Sequence, residues 1–448
     1  MSNGRDRFLK DILFLNGMAK VIMKTYGCSN NVAESEMMAG LISKAGHFVV
    51  ESEEYAKGDV VLFNMCSVKG PSVNHCLNEI KKIKAKDSGK KIIVAGCVPL
   101  QLIPDIKSIS EDICIVNTHH IDKITQAVES NGTTLDLKEF ARPIKLNMPR
   151  VRKNKVVSIV PILQGCNDYC TYCSTKLVKG NTFSYPEKMI VKEVMDSVRD
   201  GCREIWLTSQ DNGAYMTDNG YVGLGKLLKQ INAVKGEFYV RVGMANPTYL
   251  LECLSELIEA MKLDKVYKFI HIPVQSGNDS VLSAMKRRYT ADQYMQIVFE
   301  LKKEIPDITI ATDVICGFPS ETDAQFEDTL KLIKETKPDV VNISRFQARP
   351  GTRAFNMENV HGRDIKKRSR KITEVFEEIS LSRNREWIGK ECFILIDEIG
   401  KGGESIGRNL SYKQVIVKEK LDLGSIVKVK IVDGQRYCLI GNVLKGKL

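Results

Sequence analysis

Apolar residues fall in short runs along most of the chain, and each run is followed by a longer stretch with helical spacing. Lys20 to Lys24 predicts a strand ending at Tyr26-Gly27-Cys28. Val32 to Lys44 predicts a helix, with Ala33, Met37, Leu41 and Ala45 on one face. Asp59 to Phe63 and Lys91 to Ala95 predict two more strands, ending at Asn64-Met65-Cys66 and Gly96-Cys97, with a helix over Val73 to Lys84 between them. Such alternation predicts an open parallel sheet with helices on both faces. From Val156 to about Phe355 six strand–helix repeats follow. Their strands are Val156–Leu163, Glu204–Thr208, Phe238–Val242, Lys268–Val274, Thr309–Ile315 and Val340–Phe346. Six repeats predict a partial or full β/α barrel, in which chemical groups gather at the strand carboxyl ends. A basic helix is expected over 363 to 385. After it, short strands punctuated by Gly400, Gly402, Gly403 and Gly424 predict a small all-β barrel.

Composition narrows the class. The 448 residues, 43% hydrophobic and 27% charged, suit a soluble protein of several domains. The stretch Phe8 to Met23 is interrupted by Lys10, Asp11 and Lys20, so neither a signal peptide nor a membrane span is expected, and no membrane partner. Thirteen cysteines with no secretory signal predict a reducing, cytoplasmic setting in which thiols serve metals or chemistry. A net charge of +11 suits a polyanionic partner or merely a solubilising surface. Residues 383 to 448 hold thirteen Lys and Arg against eight Asp and Glu, and Tyr412 and Tyr437 there can stack on bases or pack the barrel core. Residues 121 to 155, with Arg142, Lys145, Arg150, Arg152, Lys153 and Lys155, read as a solvated basic linker.

The cysteine pattern carries the chemistry. Cys166, Cys170 and Cys173 form a C-x3-C-x2-C loop just after the first barrel strand. A structural zinc wants four ligands, and no fourth Cys or His lies near in sequence. A [4Fe-4S] cluster can take three thiolates and leave one iron open. Cys28, Cys66 and Cys97 each fall just past a predicted strand end. In an open parallel sheet those ends share one edge, so three distant cysteines are expected to converge into a second three-thiolate site. Cys76 and Cys114 read as structural. On the barrel rim the same reasoning gathers Ser209, Gln210, Asp211, Gln275, Ser276, Asp313, Arg345 and Arg349, with Gly277 for close backbone approach.

The cysteine loop at the end of a barrel strand resembles the radical S-adenosylmethionine (SAM) enzymes. From Ala19 onward the chain resembles their methylthiotransferases. The matching stretches are Lys24-Thr25-Tyr26-Gly27-Cys28, Asn64-Met65-Cys66-Ser67-Val68, Ala95-Gly96-Cys97, His271 to Gly277, Thr312 to Thr322 and Arg349-Pro350-Gly351-Thr352. The last sixty residues resemble a TRAM RNA-binding domain. Met65 and Lys179 depart from the family pattern, where Thr and Arg are common, and neither is expected to touch a ligand.

The resemblance implies four segments: an N-terminal extension at 1–18, an open parallel α/β domain at 19–140, a partial (β/α)6 radical SAM barrel at 150–382 and a small all-β TRAM barrel at 383–448. It implies two [4Fe-4S] clusters and SAM. The cluster on Cys166, Cys170 and Cys173 would chelate SAM, whose reductive cleavage gives a 5′-deoxyadenosyl radical. The cluster on Cys28, Cys66 and Cys97 would carry the sulfur, and a second SAM would supply the methyl group. Gln210, Asp211, Gln275 and Arg349 are the candidates for positioning the cofactor. A flavodoxin- or ferredoxin-like protein would donate electrons. The segments Tyr26 to Glu36 and Asn64 to Gly70 look most like the enzymes acting on threonylcarbamoyladenosine beside the tRNA anticodon. An isopentenyladenosine tRNA or a ribosomal protein is the alternative substrate. A non-catalytic iron–sulfur or zinc RNA-binding protein is the alternative class.

Overall fold

A computed structural model describes residues 18–50, 52, 54–66, 70–130 and 135–444. The N-terminal extension, except Met18, and the Ser67-Val68 part of the resemblance lie outside the described residues.

The first domain is a six-stranded parallel sheet in the order β2-β1-β3-β4-β5-β6. Its strands are β1 (Lys20–Thr25), β2 (Phe48–Val50), β3 (Val60–Cys66), β4 (Lys91–Cys97), β5 (Cys114–Asn117) and β6 (Asp136–Leu137). The central strands β3 and β4 are buried almost throughout, as expected of strands covered on both faces. Two apolar clusters form those faces. One packs Phe63, Met65, Cys76, Ile80 and Ile115. The other packs Met37, Met38 and Ile42 of the Ser29–Lys44 helix on Leu62, Ile93 and Val116. That second cluster also takes in Val157 and Ile159 of the next domain, so the two domains share a core.

The central domain has β7 (Val157–Pro161), a short antiparallel pair β8 (Leu163–Gln164) and β9 (Phe183–Ser184), then β10 (Glu204–Thr208), β11 (Tyr239–Val242), β12 (Phe269–His271), β13 (Thr309–Cys316) and β14 (Val340–Arg345). The run expected as one strand from Val156 to Leu163 is thus broken before Leu163. Parallel pairing gives β11-β10-β7 and β12-β13-β14, and the bridges Val240–Val266 and Met244–His271 join the halves. The result is an open six-stranded parallel barrel. The apolar side chains on the outer face of its strands pack against the surrounding helices and make the largest core of the molecule, including Val160, Leu207, Val242, Ile272 and Ile310. Among the described residues no helix is long and apolar enough to cross a membrane.

The C-terminal domain is a closed barrel, β15-β16-β17-β19-β18, of strands β15 (Glu391–Ile399), β16 (Ser405–Asn409), β17 (Gln414–Val417), β18 (Ile426–Gly434) and β19 (Leu439–Val443). It does not hang free. The tip of its β16–β17 hairpin enters the amino end of the central barrel. There Tyr412 packs at 4.8 Å from Tyr267 and 4.9 Å from Phe269, ring centre to ring centre. The Tyr412 hydroxyl donates to Glu204 Oε1 at 2.9 Å, and Lys268 N donates to the Leu410 carbonyl at 2.7 Å. Of the two expectations for Tyr412, the structure shows core packing, since its ring contacts Tyr267 and Phe269 and its hydroxyl is held by Glu204. That core lies between domains. Tyr437 is 65% exposed.

The basic linker is only partly solvated: Arg142, Lys153 and Lys155 are exposed as expected, but other parts are packed. It crosses the Ser29–Lys44 helix so closely that a Cβ on Gly40 would lie 2.2 Å from the Pro149 carbonyl oxygen. Lys145 is buried against Glu34, and Arg150 pairs with buried Glu193 at 2.9 Å. The local run of cations suggested water. The partners that bury them come from distant segments. The basic helix, Gly362–Arg385, is also partly spent on structure, since Arg368 is buried against Glu321 and Asp323.

Candidate functional site

Cys66 and Cys97 are the last residues of β3 and β4, and the register pairs them directly. They end their strands rather than following them, as the hydrophobic runs had suggested. Cys28 comes in from the end of β1 and caps the Ser29–Lys44 helix. A helix N-terminus favours negative charge, so it suits an anionic group bound beside it. Two glycines permit the convergence. Gly27 has φ +123°, and a Cβ there would lie 2.5 Å from the Cys66 Cβ. Gly96 has φ +89°, and a Cβ would lie 2.1 Å from Asn64 Oδ1. Asn31 braces the site through Nδ2, which donates to the Met65 carbonyl at 3.2 Å and reaches Cys97 Sγ at 3.8 Å. Burial pushes the Cys97 thiol up to about 12, and metal binding at the site would favour the thiolate instead.

The second set sits on the loop after β8. Gly165, at φ +86°, turns the chain, and its amide donates to Gln210 Oε1 at 2.8 Å. Two donors aim at the sulfurs: Arg287 Nη1 at 3.3 Å from Cys170 Sγ, and Thr175 N at 3.4 Å from Cys173 Sγ. Arg287 is itself held by Asn246 Oδ1 at 2.9 Å, and Arg288 ties Asp168 in the same loop at 2.7 Å.

All six cysteines line one cavity of about 1480 Å³ at the carboxyl ends of the barrel strands. Gln210, Asp211, Gln275 and Arg349 line it too. Their local roles differ from one another. Gln210 supports the cysteine loop, as above. Asp211 Oδ1 accepts from Gly213 N and Asn246 N at 3.1 and 3.0 Å, which organises two rim loops, and burial pushes its carboxyl up to about 7. Gln275 holds a left-handed backbone, φ +68°, bridged to Val314. Arg349 Nη1 donates to the Tyr172 carbonyl at 3.3 Å, while its buried Nε has no partner among the described residues. Gly277 is needed for close approach, but to a helix: its Cβ would lie 2.6 Å from the Thr329 Cα. Arg345 lines the cavity.

The donor sets fit iron–sulfur clusters. Each offers three thiols facing the cavity, which leaves a fourth position open to a ligand. Among the described residues no three Cys, His, Asp or Glu side chains close around a point as one metal ion requires. A four-iron cluster spreads its cysteines wider than a single ion does.

A group missed at the sequence level lies beside Cys97. Lys179 Nζ and Lys145 Nζ both donate to Glu34 Oε1, at 2.7 and 2.6 Å, and both contact Thr118 Oγ1. Burial would raise the Glu34 carboxyl, but the two lysines hold it down at about 2. Burial opposes the Lys179 charge, yet Cys97 and Glu34 keep its ammonium above the ordinary lysine range. Lys179 was not expected to touch a ligand, and its hydrogen bonds go to Glu34 and Thr118, but it lines the cavity with the cysteines. Its one sequence-level signal is the departure from Arg at that position.

Family models agree with this layout. The Radical SAM superfamily matches residues 160–333, the TRAM domain residues 385–444, and Uncharacterized protein family UPF0004 residues 20–118. A radical SAM methyltransferase, TsrM from Kitasatospora setae, solved with cobalamin and a [4Fe-4S] cluster, shares the fold over 75% of this chain and 74% of its own, at TM-score 0.56 and 12% identity. The class is therefore a radical SAM enzyme with an added parallel domain and a TRAM barrel, and SAM with an iron–sulfur cluster is its cofactor pair. A probable threonylcarbamoyladenosine tRNA methylthiotransferase of Methanothermobacter thermautotrophicus is 39% identical over 94% of this chain and 99% of that protein. The Homo sapiens threonylcarbamoyladenosine tRNA methylthiotransferase is 38% identical over 95% and 74%, and that of Drosophila melanogaster 37% over 96% and 78%. The chain belongs to the threonylcarbamoyladenosine tRNA methylthiotransferase family.

Proposed function

We propose that this chain converts N6-threonylcarbamoyladenosine, beside the anticodon of tRNA, to its 2-methylthio derivative, using two [4Fe-4S] clusters. The observation that carries the reading is the single cavity lined by both cysteine sets, Cys28, Cys66 and Cys97 with Cys166, Cys170 and Cys173. Bound there, SAM and the clusters supply hydrogen abstraction, sulfur and a methyl group. The chain's own work is to bring these to one carbon and exclude water. The shared core of the first two domains keeps the cysteine sets at one separation. Gln210, Asp211, Gln275 and Arg349 border the space SAM would fill. The TRAM barrel and the exposed cations of the 362–385 helix supply charge for tRNA phosphates, so binding should weaken as salt rises. A single-stranded loop lets the target base be splayed out into the cavity. A flavodoxin- or ferredoxin-like donor and a cytoplasmic setting complete the reading.

The test uses anaerobically reconstituted full-length enzyme, SAM, a reductant and two tRNAs, one carrying the threonylcarbamoyl and one the isopentenyl modification. Methylthiolation of the first alone is expected, read by mass spectrometry of nucleosides. Modification of the isopentenyl tRNA alone refutes the substrate and keeps the reaction. Tight tRNA binding without any SAM cleavage would favour a non-catalytic RNA-binding protein.

A further inference from the structure

We propose that Lys179, held by Glu34 and joined by Lys145, is the counter-cation of the centre on Cys28, Cys66 and Cys97, and that it sets that centre's reduction potential. The proposal rests on the two-cluster reading.

Lys179 ends the short helix Thr175–Lys179 that follows the Cys170–Cys173 loop. Glu34 lies on the helix capped by Cys28. Their ion pair therefore ties the element after one cysteine set to the element that begins at the other. Lys145 reaches the same carboxylate oxygen from the interdomain segment. The hydroxyls Ser29 Oγ and Thr208 Oγ1 meet at 2.9 Å across the same junction.

Charge balance supplies the second step. The side chains of Lys179, Lys145 and Glu34 are 3%, 3% and 1% exposed. Two lysines face one carboxylate, which leaves one buried positive charge unmatched. Among the described residues neither lysine has another acidic ion-pair partner. A buried charge without a counterpart is costly and is kept only where something offsets it. What lies beside Lys179 is the cysteine site: Cys97 is buried, and Lys179, Cys28, Cys66 and Cys97 border the same cavity. An oxidised four-iron cluster with two formal positive charges, on three thiolates, carries about one net negative charge. The surplus cation matches that charge. A cation in a low-dielectric position favours the state with one more electron, so it should raise the potential.

The test uses full-length protein with Cys166, Cys170 and Cys173 changed to Ala, so that the remaining cluster signal belongs to the N-terminal site. The cluster is reconstituted anaerobically and titrated by electron paramagnetic resonance. In this background Lys179→Gln should make the midpoint more negative by a tenfold change in the redox constant, about 59 mV for one electron. Glu34→Gln should move it the opposite way, and Lys179→Arg should leave it in place. Lys145→Gln, reaching Glu34 from another segment, should also move it negative and serves if Lys179→Gln binds no iron. A strut without an electrostatic role would make Lys179→Gln and Glu34→Gln alike, lowering thermal stability with no shift or with shifts of one sign. That result overturns the proposal and leaves the two-cluster reading standing. A background protein that binds no iron refutes both.

Discussion

The two ends of the central barrel are built from similar residue types and do opposite things. At the carboxyl end, six cysteines and a ring of polar side chains border an open cavity. At the amino end, Glu204, Arg408 and Tyr412 pack together, below Arg241, which also borders the cavity. Trp206 and Tyr412 both donate to Glu204, and Arg241 lies 5.4 Å from the Tyr412 ring centre. Glu204 at the closed end accepts from two neighbours, while the buried Nε of Arg241 there and the buried Nε of Arg349 at the open end have no hydrogen-bond partner among the described residues. In β/α barrels chemistry gathers at the carboxyl rim, and here the TRAM domain closes the other mouth. Changes at the open end should therefore remove chemistry and spare the fold, while changes at the closed end should do the reverse.

The largest effect tests the open end and divides it. Replacing Cys166, Cys170 and Cys173 with Ala should abolish SAM cleavage and product. Replacing Cys28, Cys66 and Cys97 should keep cleavage and abolish methylthiolation. Iron should fall from about eight to about four per chain in each case. Full product formation by the second triple variant would remove the sulfur-donor role.

At the closed end Tyr412→Ala should cost about 3–5 kcal/mol of stability, the range for truncating a buried aromatic. Tyr412→Phe keeps the ring and should cost about 1–2 kcal/mol, since Glu204 loses one donor. Thermal unfolding measures both. Iron content and SAM cleavage at low temperature should be unchanged, and their loss would mean that the two ends are not independent. Deleting the TRAM domain is a poorer experiment, because it uncovers Glu204, Tyr267 and Phe269 together.

Gly27→Ala returns to the open end with a smaller change. A side chain there meets Cys66 and a backbone angle that only glycine adopts easily, a local strain of about 1–3 kcal/mol. Iron should fall towards about four per chain while SAM cleavage continues. Unchanged iron would show that β1 can shift without releasing Cys28.

These contrasts also mark what can be read along the chain. The Cys166–Cys173 loop is local, so its spacing is visible directly. The convergence of Cys28, Cys66 and Cys97 follows from strand–helix alternation, because a parallel sheet aligns its carboxyl ends. Lys145 and Arg150 resist such reading. A run of cations looks solvated until Glu34 and Glu193 arrive from other elements. The docking of Tyr412 is hidden for the same reason, since a Tyr in a hairpin turn looks alike whether it faces water or a neighbouring domain. Periodicity reports an element's own faces, and burial between domains leaves no period.

Tyr437 gives the smallest effect and the closest contrast with Tyr412. Both are tyrosines of the TRAM barrel, but Tyr437 is 65% exposed, with its hydroxyl 2.7 Å from Glu377 Oε1. Its ring leans on Phe376 at 6.5 Å and leaves one face to solvent. Removing so exposed a side chain should change stability by no more than about 0.5 kcal/mol. An open aromatic face on a basic barrel is what a base stacks on, and such stacking contributes about 1–3 kcal/mol per base. Tyr437→Ala should therefore weaken tRNA binding by roughly 5- to 150-fold, with the same salt slope as the parent, because no phosphate contact is lost. Tyr437→Phe should bind like the parent. Equal affinity for the Ala variant at matched salt would assign RNA binding on this domain to its lysines alone.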